Sequence, residues 1–238
     1  MYLSLLITFI CFSGEAFSSS LFSPCKKNDF TCIENTVNDA LPKIFDGIPE
    51  LGIDKSDPQF VSVIAADLSA LKYTFFNSTI YGFKSCKMSN FKINDDLTKV
   101  NCEVHCDSLM MNGLYEIKGQ LITIPIEGKG DYEFEGASFH VDFDIKLDKV
   151  KGSDGQTHFF IRKITFKSKP LTPIKFNFRN LFDGKNDLAA VVKKFAQENW
   201  LEITLLLQDP IWEASLDQLK GVMNKYLTTF AIDDTILN

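Results

Sequence analysis

The sequence predicts an α+β fold: a short N-terminal helix, then a strongly curved antiparallel sheet, then a long C-terminal helix that the sheet wraps. Three observations predict it. The apolar period is helical over residues 32–47, changes to two over residues 70–178, and returns to helical from Asp187 onward. Turn-forming clusters interrupt the period-two region, and consecutive hairpins with one wet face make an antiparallel meander. A C-terminal helix much longer than the usual three turns needs a long apolar trough to lie in, and a one-sided sheet supplies one.

Each element follows from its own pattern. Ile33, Val37, Leu41, Ile44 and Phe45 form a stripe at steps of four and three that ends near Gly47 and Pro49. The clearest strand is Phe139 to Leu147, where Phe139, Val141, Phe143, Ile145 and Leu147 alternate with His140, Asp142, Asp144 and Lys146. Ala70 to Phe76, Ile80 to Ile93, Lys99 to Cys106, Leu114 to Ile126, Tyr132 to Phe134, Phe159 to Phe166 and Ile174 to Phe178 read the same way. Asn94-Asp95-Asp96, Glu127-Gly128-Lys129-Gly130 and Gly152-Ser153-Asp154-Gly155 are the hairpin signals. In the final segment Leu188, Val192 and Phe195 begin a stripe that Trp212, Leu216, Leu219, Met223, Tyr226 and Phe230 continue. Pro210 is expected to kink or break that helix, because it lacks the N–H that would bond one turn back.

Residues 1–20 read as a signal peptide and residues 21–238 as a single exported domain. Leu3 to Phe12 is an apolar run too short to span a bilayer, and small residues suited to cleavage follow it at Ala16 and Ser18 to Ser20. No later stretch is long and apolar enough to be a transmembrane helix. Export permits disulfides, and Cys25 and Cys32 flank a short polar stretch that a bridge would close into a loop. Asn77-Ser78-Thr79 is a glycosylation sequon, which expects Asn77 on the surface. The chain carries a formal charge of −6 with no long basic run, which excludes a nucleic-acid partner. It also has 22 Phe against 6 Tyr and 2 Trp. So much apolar area without polar handles either fills a large core or lines an apolar hole, and composition leaves both open.

Catalytic patterns are missing. There is no nucleophile elbow, no zinc-protease helix, no phosphate loop and no dinucleotide fingerprint. Cys102 and Cys106 lie four apart in an alternating strand, without the paired spacing of a metal site, so no metal is expected. His105, His140 and His158 read as solvated side chains, and carboxylates such as Asp142 and Asp144 sit on a wet face. Nothing there would separate the pKa values of an acid–base pair.

Four stretches carry a resemblance. They are Pro24-Cys25 with Cys32; Asn77-Ser78-Thr79-Ile80-Tyr81-Gly82-Phe83 with Asn90-Phe91-Lys92; Gly113-Leu114-Tyr115-Glu116-Ile117, Gly119 and Ile124-Pro125-Ile126-Glu127-Gly128-Lys129-Gly130; and Phe178-Arg179-Asn180-Leu181-Phe182-Asp183-Gly184 with Asn199-Trp200. In this order they resemble the insect juvenile-hormone-binding and takeout family of secreted hydrophobic-ligand carriers, the takeout branch above all. The resemblance implies an elongated apolar tunnel between helix and sheet, in the architecture of bactericidal and lipid-transfer proteins. It also implies no enzymatic activity, no cofactor, and a small hydrophobic ligand as partner to a monomeric chain in extracellular fluid such as haemolymph. The Cys25–Cys32 bridge carries over position by position. The second disulfide of the hormone-binding branch has no counterpart, since no cysteine follows Cys106, which argues against specific juvenile-hormone binding.

A turn at residues 94–98 sets Cys86 roughly opposite Cys106. A cross-strand disulfide with Cys102 left as a buried thiol and three small buried hydrophobes are both open. On the implied tunnel, the inward strand positions expected to meet ligand are Tyr73, Phe75, Phe91, Phe134, Val141, Phe143, Ile145, Phe159, Ile161 and Phe178. Trp200, Leu216 and Met223 face them from the helix, and Tyr73 and Tyr226 are the expected polar contacts. A secreted protein that recognises lipid surfaces is the alternative, which the acidic balance disfavours.

Overall fold

The computed structural model describes residues 23–237, so the expected signal peptide lies outside the described residues. The chain opens with β1 (Cys25–Lys26) and helix α1 (Phe30–Asp46), capped by the Asp29 carboxylate, which accepts from the Cys32 amide at 3.0 Å. The sheet follows: β2 (Gln59–Asp67), β3 (Leu71–Tyr81), β4 (Lys87–Ile93), β5 (Lys99–Leu121), β6 (Ile124–Lys151), β7 (Thr157–Pro170) and β8 (Lys175–Phe178). The C-terminal part holds α2 (Asn186–Glu198), α3 (Trp200–Leu227), the one-turn α4 (Ile232–Thr235) and β9 (Ile236–Leu237).

Seven strands form one antiparallel sheet in the order β2-β3-β5-β6-β7, with β4 beside β5 and β8 beside β6; it does not close into a barrel. Strands β5 and β6 have 23 and 28 residues, far beyond the ordinary strand. Such strands stay in one sheet only by bending, and local irregularities bend them. The register shifts in β3 between Phe76 and Thr79, and in β5 between Cys106 and Met111. Asn77 in β3 and Gly136 in β6 take positive φ. Against the concave face lies α3, fastened to β7 by Asn224, whose amide oxygen accepts from the Ile161 N–H at 2.6 Å. Its amide nitrogen donates to the Ile161 carbonyl at 3.0 Å, so this one side chain pairs like another strand residue.

Several expected boundaries move. Residues 187–227 form two helices, but the break is at Asn199, not Pro210: α3 runs through Pro210 without interruption. Neighbours hold the helix there, with the Tyr73 hydroxyl donating to the Leu207 carbonyl at 2.9 Å. At Asn199 the side-chain amide donates to the Phe195 carbonyl, a local bond that competes with helix continuation. The stretch Ile80 to Ile93 is two strands separated by a 3₁₀ turn at 83–85. Leu114 to Ile126 is also two, because β5 turns into β6 at residues 122–123. The expected hairpin at Glu127-Gly128-Lys129-Gly130 is strand interior. A Cβ on Gly128 would lie 2.9 Å from the Leu181 Cα, and one on Gly130 2.5 Å from the Arg179 carbonyl oxygen, so these glycines admit a crossing chain rather than a turn. Strand β2 falls outside the expected sheet. Its pattern is inverted, with Gln59 buried and Phe60 exposed.

Disulfides join Cys25 to Cys32 and Cys86 to Cys106, and Cys102 is a free, buried thiol. Burial, with Glu103 adding, pushes the Cys102 thiol up to about 12, which keeps it protonated and inert. The Cys86–Cys106 bridge closes a loop with a sequence separation of 20. Replacing both residues with alanine is expected to cost about 3 kcal/mol. Chemical denaturation of the variant and wild type measures it, and equal midpoints would refute it.

Candidate functional site

Between α3 and the concave face run three adjoining apolar cavities. The outermost, of about 200 Å³, is bordered by Ile33, Val37, Phe91, Val100, Leu147 and Phe159. It shares Leu41, Met88, Ile145, Ile161 and Met223 with a middle cavity of about 150 Å³, which also touches Phe143 and Leu216. The middle cavity shares Phe83 and Trp212 with an inner chamber of about 70 Å³. Chain-like rather than compact molecules suit such a run.

Both ends are bordered by structure the sequence places far apart. At the outer end β9 pairs in parallel with β1, and the Lys27 amide donates to the Leu237 carbonyl at 2.9 Å. Ser23, Cys25, Thr235 and Ile236 of this clasp border the outer cavity. Beyond the inner chamber an aromatic cluster fills the space. Phe75 stacks within 5.5 Å of Tyr73, Tyr132 and Phe134, and Phe134 meets Phe176 and Phe178 edge-on. The Tyr132 hydroxyl donates to Ser78 Oγ and the Tyr115 hydroxyl to the Arg179 carbonyl, so the buried phenols are paired.

The structure distributes the expected wall residues. Phe91, Phe134, Phe143, Ile145, Phe159, Ile161, Leu216 and Met223 border the cavities. Tyr73, Phe75, Val141, Phe178, Trp200 and Tyr226 border none of the three. Tyr73, Phe75 and Phe178 belong to the aromatic cluster, and Val141 is fully packed in the core. Trp200 starts α3 and packs against that core. Tyr226 lies on another face of α3, against Ala40, Ile44 and Ile53. Of the polar residues that do border a cavity, Ser23, Thr36 and Thr235 stand at the outer one, Lys220 at the middle one, and Thr204, Gln208 and Ser215 at the inner chamber. Sequence reading overlooked them, although Gln208 extends the Trp212, Leu216, Leu219 and Met223 stripe one turn toward the N-terminus.

One histidine departs from its expected place. His105 and His140 are partly exposed, but His158 is only 2% exposed, roofed by the turn that begins at Gly152. A Cβ on Gly152 would stand 2.5 Å from His158 Nε2, so only glycine lets the ring sit there. His158 Nδ1 is 2.8 Å from the Phe230 carbonyl and Nε2 is 3.1 Å from Asp154 Oδ1. Both partners are acceptors, and only the imidazolium donates from both nitrogens. The Asp154 bond, foremost, holds the imidazole pKa above its ordinary value; burial opposes it and the Phe230 carbonyl reinforces it. Phe230 borders the outer cavity, so the hydrogen bond from His158 Nδ1 to its carbonyl ties the β6–β7 hairpin to the clasp end.

A raised folded-state pKa gives stability that is fully present below the unfolded value near 6.5 and is lost as pH rises through the folded value. Wild type should therefore lose thermal stability between pH 6 and pH 8.5 by more than a His158→Gln variant does. Parallel pH profiles of Tm for the two would contradict this.

Among the described residues no group of three or more His, Cys, Asp or Glu is placed to hold a metal, and no helix is long and apolar enough to cross a membrane. The family model for haemolymph juvenile hormone binding protein (JHBP) matches residues 3–237. The chain is 24% identical over 236 residues to the circadian clock-controlled protein daywake of Drosophila melanogaster, a match covering 93% of this chain and 89% of that relative. It is 32% identical over 91 residues to the juvenile hormone-binding protein of Manduca sexta, covering 37% of this chain and 40% of that one. The crystal structure of Epiphyas postvittana Takeout 1 shares the fold, with a TM-score of 0.85 at 22% identity over 90% of this chain and 99% of its own. The match along nearly the whole chain, joined to the long helix in its curved open sheet, leaves one conclusion: the chain belongs to the haemolymph juvenile hormone binding protein family.

Proposed function

We propose that this protein is a secreted, non-enzymatic carrier that holds a small, chain-like apolar molecule, such as a terpenoid, fatty acid or other lipid, in its internal tunnel. The observation that carries this reading is the run of adjoining cavities with almost wholly apolar walls. A dry apolar void inside a protein forfeits packing contacts that a matching ligand restores. At about 25 cal/mol per Å², a ligand hiding roughly 300 Å² of apolar surface gains on the order of 7 kcal/mol before association costs. Family membership and the name of the Manduca sexta relative agree with an apolar ligand.

Extraction of native and denatured protein into organic solvent, followed by mass spectrometry, tests the reading. A stoichiometric apolar compound released only on denaturation is the expected result. No such compound, together with no displacement of a neutral fluorescent apolar probe, would defeat it. Passage through the secretory route has its own check. Asn77 is exposed at the β3 irregularity, accessible to a glycosyl transferase. Protein secreted from insect cells should shift in gel mobility on enzymatic deglycosylation, and an Asn77→Gln variant should not; identical behaviour of the two would rule this out.

A further inference from the structure

The outer face of the sheet carries an apolar patch of its own. Val63, Phe76 and Leu114 stand directly across from one another on β2, β3 and β5, and therefore on one face. That face is the outer one, because the preceding residue of β3, Phe75, is fully buried. Past the β3 irregularity Ser78 and Ile80 are buried, so Thr79 and Tyr81 continue the outer face. There Phe60 lies opposite Thr79, and Tyr81 opposite Met110. Phe60 is 57% exposed and Val63 51%, and Leu114, Met110 and Tyr81 are exposed as well. No charge interrupts these rows before β6, where Asp131 and Glu133 face Leu114 and Asn112. Soluble proteins rarely leave such a contiguous apolar patch bare.

Asn77 lies between the Phe76 and Thr79 rows, exposed and with φ at 48°, a left-handed conformation that asparagine tolerates. The bulged backbone there presses close to β5: a Cβ on Gly113 would stand 2.7 Å from the Phe76 carbonyl oxygen. Asn77 also heads the sequon Asn77-Ser78-Thr79, so a sugar chain on its amide nitrogen starts inside the patch. Beside Leu114 the surface dips into a hollow of about 350 Å³ lined by Asn112, Asp131, Glu133 and Arg179. Amide, carboxylate and guanidinium groups pair with sugar hydroxyls, and the electron-rich face of an exposed ring receives the apolar C–H face of a sugar.

We propose that the occupant of this patch is the protein's own N-linked glycan, whose first N-acetylglucosamine residues lie from Asn77 across Phe76, Phe60 and Leu114 toward the hollow. The covalent tether makes the contact intramolecular, so individually weak stacking suffices. A bulky glycan rooted there also holds off a flat partner, whether a bilayer or the sheet of a second copy. The assignment rests on passage through the secretory route and deepens it: the sugar covers the apolar area that export would otherwise leave bare.

Hydroxyl-radical labelling read by mass spectrometry tests it, on protein secreted from insect cells and on the same folded protein after enzymatic removal of the glycan. With the glycan present, labelling of Phe60, Tyr81 and Met110 is expected to be about twofold slower or more, as a bulky surface sugar covering half their exposed area requires. Phe160, 37% exposed on β7 at the opposite edge of the sheet, should label equally in both forms. Equal labelling of the patch in the two forms would overturn the assignment. Protection that appears only in a sedimenting dimer would make the occupant a second copy, and protection only with phosphatidylcholine vesicles a lipid surface; either overturns it too. A chain secreted with no sugar on Asn77 defeats the glycosylation reading and the assignment together, whereas a glycosylated chain with an unprotected patch defeats the assignment alone.

Discussion

Replacing Met223 with tryptophan is expected to lower affinity for apolar ligands by about tenfold or more while the protein remains folded. Met223 lies where the outer and middle cavities meet, bordering voids of about 200 and 150 Å³. A larger side chain in a packed core forces strain of about 1–3 kcal/mol, but here the added ring has empty space to enter. The same ring denies that space to a ligand. Losing roughly 60 Å² of apolar contact removes about 1.5 kcal/mol of binding, a little over tenfold. Titration with a fluorescent apolar probe, beside a thermal melt, separates the two effects. Undiminished binding in a folded Met223→Trp variant would mean that ligand does not pass this point, and the tunnel would reduce to its outer cavity.

The opposite behaviour is expected of Phe75→Ala, which should destabilise the protein by about 3–5 kcal/mol. Phe75 is fully buried at the centre of the aromatic cluster and borders none of the three cavities. Its ring contacts Tyr73, Tyr132 and Phe134, and none of these can collapse into the hole without giving up a partner: Tyr73 is tied to the Leu207 carbonyl and Tyr132 to Ser78. With a total stability of about 5–15 kcal/mol for a typical domain, such a loss is a large share of the whole. Denaturant unfolding measures it. A loss below about 1 kcal/mol would show that the cluster repacks, and would make this end of the tunnel expandable rather than closed. The two substitutions thus distinguish a wall that faces space from a plug that fills it.

Periodicity made the architecture legible. Alternation in Phe139 to Leu147 reports a strand with one dry face whatever its neighbours are, and the stripe from Trp212 to Met223 reports a helix that must be covered along its length. These signals are local, written in which residues follow which. Boundaries are less local. Pro210 breaks helices in isolation, but inside this core tertiary hydrogen bonds to the flanking carbonyls keep α3 continuous. Gly128 and Gly130 look like a turn, yet they serve as the smooth surface that the chain at Arg179–Leu181 crosses.

Whether a buried side chain faces a void or another side chain was decided only by tertiary structure. Phe143 and Phe75 carry the same residue type on the same inner face, and nothing in their neighbourhoods along the chain separates them. Phe143 borders a cavity because α3 stands off from β6 there, whereas Phe75 sits where rings from β3, β6 and β8 converge. Likewise the burial of His158 depends on a carbonyl 72 residues away, and the pairing of the Gln59 and Gln208 amides on how α3 is turned against β2 and β7. The sequence by itself determined the order of elements, the wet and dry faces of the strands and the need for a helix-length trough, because these depend on near neighbours. Where the trough is filled and where it is left open depends on distances between elements, which sum many weak contacts across the whole molecule.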